Sequence, residues 1–150
     1  MRIAIIGVGN LLMKDDGIGI HIVKDLEKMD LPPNVEVYDA DTNAFAVLEF
    51  MNGKDKAVII DAYMGDGEPG SLYKLSFNPR CEEPPENFNL SLHDFTFADA
   101  IRSGEGIYEL PREIIIIGVE PKEINLGLEL SHELERIKSK VIEEVMRELE

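Results

Sequence analysis

Residues 2–23 read RIAIIGVGNLLMKDDGIGIHIV. A continuously apolar run at 3–8 leads into the pair Gly7 and Gly9, and apolar residues then recur at Ile18, Ile22, Leu26 and Met29 with helical spacing. Strand, glycine turn and helix in that order form the opening unit of a doubly wound α/β sheet. As a nucleotide cradle, however, the turn fails. A dinucleotide fingerprint, G-x-G-x-x-G, would need glycine where Leu12 stands, and no Walker-type Lys-Ser/Thr pair is present. Asp15 and Asp16 moreover put negative charge at the helix N-terminus, where a phosphate would otherwise bind.

The remaining chain continues the same alternation. VEVYDA at 35–40, KAVIIDAY at 56–63 and IIIIGVE at 114–120 are further strands, and the unbroken apolar runs among them suit parallel strands covered on both faces. SLYKLSF at 71–77 alternates apolar and polar residues after the turn-forming GDGEPG, which predicts an antiparallel edge strand. The first helix stops before Pro32 and Pro33, and Ala44, Val47, Leu48 and Met51 mark a second that ends near Asn52-Gly53. DFTFADAIRS at 94–103 fits one amphipathic helix. Ser131 is the predicted N-cap of a last one, with Leu134, Ile137, Val141, Val145 and Leu149 facing the sheet. The expectation is a three-layer α/β/α domain spanning 1–150, with a mostly parallel twisted sheet of about five strands and one antiparallel edge.

At 150 residues and 44% hydrophobic content the chain matches one ordinary domain. Its formal charge of -15 repels nucleic acid and anionic lipid and favours a cationic or metal-bearing partner. No apolar run is long enough for a membrane span, and the opening residues lack the features of a signal peptide, so a cytoplasmic location and no membrane insertion are expected. The one cysteine, Cys81, falls in the proline-rich acidic stretch NPRCEEPPEN, which reads as an exposed loop.

Chemistry concentrates at the carboxyl ends of the first and third strands. In a doubly wound sheet these strands are commonly neighbours, and ligands bind where their ends meet. Asp61, closing the run AVIID, would there face Asp16 across the crevice. Each also has a plain structural reading as a cap or turn former; for Asp15 and Asp16 such capping is worth about 1 kcal/mol. Two close carboxylates repel and Lys14 is the only basic sequence neighbour, so a bound cation is the simplest compensation. A third ligand would be a histidine. His21 sits within the first helix, His132 beside the last N-cap, and His93 at a helix entrance after a long loop, from which a crevice is reachable. An Asp-Asp-His set with open positions suits nickel or zinc. HExxH, GxSxG and paired CxxC motifs are absent.

Together GVGNLLMKDDGIG, VIIDAYMGDGEPG, the SLHD segment and IIIIGVEP resemble the hydrogenase maturation endopeptidases, in order and spacing over nearly the whole chain. The resemblance implies an endopeptidase that trims the C-terminal extension of a [NiFe]-hydrogenase large-subunit precursor. It also implies a metal held by an acidic residue after the first strand, an aspartate after the third and a histidine in the later loop, here Asp16, Asp61 and His93, with Asp15 a possible substitute for Asp16. That metal would be nickel already loaded in the precursor, with zinc or cadmium able to take its place in the isolated protein. Where many members carry Asp-Gly-Gly-Thr for client recognition, this chain keeps Asp39 and Thr42 but has Ala40 and Asp41, a departure that bears on which hydrogenase is the client. The rival reading is a binding module that recognises a metallated client without cutting it.

Overall fold

The computed structural model describes residues 1–86, 89–92 and 95–150. Five strands, β1 (Ile3–Gly7), β2 (Val35–Asp39), β3 (Lys56–Ala62), β4 (Leu72–Phe77) and β5 (Glu113–Val119), form one sheet of order β2-β1-β3-β5-β4. β1, β2, β3 and β5 are parallel, while β4 closes the edge antiparallel to β5, pairing Leu72 with Val119 and Phe77 with Ile114. The central strands are buried almost throughout; β2, an edge, is only partly covered.

Alternation along the strands divides the core in two. Ile5, Val58 and Ile115 face helices α1 (Ile18–Glu27) and α4 (His132–Arg147), whereas Ala4, Ala57 and Ile114 share the other core with α2 (Ala44–Met51) and α3 (Phe97–Gly104). The fold is therefore α/β/α, as expected. Register explains the sharp partition: Ile5 pairs with Val58 and Val58 with Ile115, so a one-residue slip would turn a whole β-branched row to the wrong layer.

Two helix boundaries differ from expectation. α1 ends at Glu27 with Lys28 as C-cap, which leaves Met29 42% exposed, and Leu31 packs against that core instead. α3 starts after Thr96, whose hydroxyl accepts the Asp99 N–H; a hydroxyl N-cap at that point fixes the helix start three residues after the position expected from the apolar pattern. Ser131 caps α4 as expected, and Leu149, just beyond its end, still packs on the sheet.

The glycine turn serves packing. A Cβ at Gly19, within α1, would lie 2.1 Å from the Ile60 carbonyl oxygen and 2.6 Å from that of Val8. Alanine would gain about 1 kcal/mol of helix propensity there, but it would drive the helix off two strands whose backbone cannot yield. Overpacking of this kind costs about 1–3 kcal/mol or more. Gly19→Ala is thus expected to lower stability by a net ~1–2 kcal/mol, read as a lower urea midpoint at unchanged m-value; a midpoint at or above wild type would disprove this packing role.

Candidate active site

β1 and β3 lie side by side while the chain departs from them in opposite directions, so their carboxyl ends meet at the topological switch point. Asp61 ends up there because β3 carries it, and it is 0% exposed. Asp16 arrives on a single 3-10 turn, Lys14–Gly17, between β1 and α1. Gly9, at φ +142°, allows this turn to close: a Cβ there would sit 2.0 Å from the Asp16 carbonyl oxygen and 3.4 Å from Asp61 Oδ1.

One residue that the sequence reading passed over joins the two carboxylates. Ser91 donates its hydroxyl to Asp16 Oδ1 at 2.6 Å and its backbone N–H to Asp61 Oδ2. Asn10 N–H donates to the other Asp16 oxygen at 2.9 Å and Ala62 N–H to Asp61 Oδ1 at 2.7 Å. Burial pushes the Asp61 carboxyl well above the ordinary carboxylate range; the hydrogen bond from Ser91 opposes this, and the negative charge of Asp16 reinforces it. Among the described residues neither aspartate has a basic partner, because Lys14 turns away to Glu123 at 2.9 Å. Asp16 and Ser91 open on a crevice of about 270 Å³ walled by Ala62, Met64, Leu90 and Ile124, while Asp61 is fully buried.

Asp15 has a different task. Fully buried, it accepts hydrogen bonds from the N–H groups of Lys122, Glu123 and Ser131 and from the Ser131 hydroxyl, all within 2.9 Å. Burial works to raise its carboxyl, yet these four donors hold it below the ordinary range. It is therefore neither a simple cap of its own helix, the role expected for it, nor a free ligand. It fastens the loop after β1 to the segment that leads into α4, beside a parallel bridge between Met13 and Gly127.

The histidines separate as well. His132 is exposed at the start of α4, and His21 lies on α1 with its Nε2 buried and unpartnered among the described residues, burial and the nearby Lys138 depressing its basicity. His93 lies outside the described residues. Among those residues no three His, Cys, Asp or Glu side chains converge as a metal cage; of the three residues expected to do so, Asp16 and Asp61 are brought together on Ser91.

Asp39, Asp41 and Thr42 line a separate groove of about 530 Å³, together with Phe45 and Phe95, whose exposed rings meet edge to face at 5.5 Å. Asp41 adopts φ +53°, a left-handed conformation natural to glycine and tolerated by aspartate, with its N–H held by Asp39 Oδ1 at 2.8 Å. Its carbonyl accepts the Gly9 N–H at 2.9 Å, so the groove is tied directly to the turn that shapes the carboxylate crevice. Among the described residues no helix is long and apolar enough to cross a membrane.

The same architecture recurs in known proteins. A family model described as hydrogenase maturation protease matches residues 20–148. The hydrogenase 2 maturation protease of Escherichia coli is 32% identical, over 99% of this chain and 91% of its own length. Among solved structures, the hydrogenase maturating endopeptidase HybD from E. coli superimposes with TM-score 0.83 at 28% identity, covering 99% of this chain and 92% of that one. The [NiFe] hydrogenase maturation protease HybD from Thermococcus kodakarensis gives 0.75 at 30% identity, over 98% of both chains. With a family match across most of its length and a fold shared over nearly the whole chain with these proteases, the chain belongs to the hydrogenase maturation protease family.

Proposed function

We propose that this protease removes the C-terminal extension of a [NiFe]-hydrogenase large-subunit precursor, and that Asp16, Asp61 and His93 grip the nickel which that client already carries. The observation that carries the reading is the carboxylate pair held on Ser91 at the switch point, uncompensated by any basic group among the described residues. Two buried or half-buried carboxylates so close together favour a cation, and their oxygens suit a divalent one. Asp16, in the crevice lining, is the arm that meets the client, while Asp61 is fully buried and Ser91 fixes the direction of both. Nickel, when bound, supplies Lewis acidity. Asp39, Asp41 and Thr42 read the client through the neighbouring groove, and the Asp41–Gly9 hydrogen bond couples that reading to the crevice.

Three protein ligands leave an open site that holds a free ion weakly, so zinc or cadmium should occupy it only in the isolated protein. A processing gel with nickel-loaded and nickel-free precursor, each with and without chelator, tests the proposal. Cleavage is expected only of the nickel-loaded form, and metal given to the protease alone should not substitute. Efficient cutting of nickel-free precursor in chelator would overturn the nickel requirement; a stable complex with no cut would replace the enzyme by a binding module.

A further inference from the structure

Glu120, the first residue after β5, is almost fully buried, and one of its carboxylate oxygens gathers three donors. Its Oε1 accepts the N–H groups of Gly65 and Gly67 at 2.8 and 2.9 Å and the Tyr73 hydroxyl at 2.7 Å. Its backbone clasps the same segment: Glu120 accepts the Gly70 N–H at 2.8 Å and donates to the Ser71 carbonyl at 2.9 Å. Residues 63–70 lie directly on Tyr73, since a Cβ at Gly65 would come within 2.6 Å of its ring and one at Gly67 within 2.3 Å of its hydroxyl. Tyr63 meets Tyr73 edge to face at 5.1 Å. A stretch with the composition of a loose turn, MGDGEPG, is thus fastened to Glu120 by three of its backbone N–H groups, with Ser71 and Tyr73 held beside it.

The fastened loop presents Met64, 68% exposed, as a wall of the crevice that also contains Asp16 and Ser91. An unbranched thioether offers an apolar surface able to adapt to a peptide. A glycine-rich segment left free would have to be ordered each time a client bound, at a cost to affinity. We infer that Glu120 is a positioning residue for client binding, holding residues 63–70 so that Met64 is preset as an apolar contact at the mouth of the crevice. This rests on the proposed processing reaction, in which the crevice receives the client.

The test compares Glu120→Ala, Glu120→Gln, Met64→Ala and the Glu120→Ala/Met64→Ala double variant by steady-state cleavage of nickel-loaded precursor, alongside hydrogen exchange at the Gly65 and Gly67 amides. Glu120→Ala and Met64→Ala should each raise KM about tenfold with kcat within about twofold. Glutamine, which keeps the accepting oxygen, should restore both KM and amide protection. The double variant should be no worse than Glu120→Ala, because the two substitutions remove one contact. Faster amide exchange at unchanged KM would overturn the inference, as would a fall in kcat alone or a failure of glutamine to rescue. Should wild type leave the precursor uncut, the processing assignment fails and precursor affinity replaces KM as the readout: weaker binding by both single variants supports the positioning role, and unchanged binding ends it.

Discussion

Asp16→Asn is expected to abolish processing while thermal unfolding stays near wild type, and Asp15→Asn to retain the site's chemistry while losing on the order of 10 °C in Tm. Adjacent aspartates diverge because of what surrounds them. At Asp16 an amide still accepts from Asn10 and meets the Ser91 hydroxyl, and the charge removed is one that opposes ionisation of buried Asp61. At Asp15 the four groups facing the carboxylate are all donors aimed at it, so the amide of asparagine brings a donor against donors. A buried unsatisfied N–H and weakened charge-assisted bonds cost together about 3–4 kcal/mol. pH gives an independent check. Asp15 titrates below its unfolded value, so its contribution is present above that value and is lost as pH falls through the folded one. The Asp15→Asn variant should therefore lack part of the wild-type acid limb. Reversed effects of the two substitutions on cleavage and Tm would exchange the roles assigned to them.

Metal uptake by the isolated protein should strengthen as pH rises and should release a proton. Asp61 carries the opposite sign to Asp15: its folded carboxyl titrates well above the unfolded one, so the stability it contributes is fully present below the unfolded value and is lost as pH rises through the folded value. A divalent ion competes with that proton. Below the folded value of Asp61, each unit of pH is worth up to about tenfold in affinity, and a bound ion restores the stability that ionisation removes. Calorimetry with nickel or zinc in two buffers of different ionisation enthalpy counts the released proton. Ser91→Ala, which removes the hydroxyl that steadies Asp16 and loosens the support shared with Asp61, should weaken binding about 10- to 100-fold. His93→Ala, which removes the proposed third ligand, should weaken it by more than about a hundredfold. Buffer-independent heats would contradict proton release from Asp61, and equal affinity of wild type and His93→Ala would remove His93 from the site.

Which of these features the sequence exposed depends on how local each is. Apolar runs locate β1, β3 and β5 because parallel strands covered on two faces admit little else, and adjacency of β1 and β3 follows from the doubly wound order, bringing Asp16 and Asp61 together. Ser91 escaped notice because half its role is a backbone N–H, which every residue but proline possesses. Asp15 looked like a local cap since its donors are 107 to 116 positions away. Thr96 was legible, a hydroxyl three residues ahead of Asp99, but the amphipathic pattern of 94–103 suggested an earlier start to α3.

The Asp15–Ser131 contact also sets an order of events during synthesis. Ser131 both caps α4, accepting the Leu134 N–H, and donates to Asp15, so the anchor is complete only once the chain has been made as far as the start of the last helix. A ribosome delivers β1 and its turn first and α4 last. Until then Asp15 has the Lys122 and Glu123 N–H groups but lacks the two donors of Ser131, and the turn bearing Asp16 is only partly anchored. A chain cut short before Ser131 therefore loses two of the four bonds on Asp15 together with α4, and should be less stable and less active than the full chain despite having every residue of the proposed site.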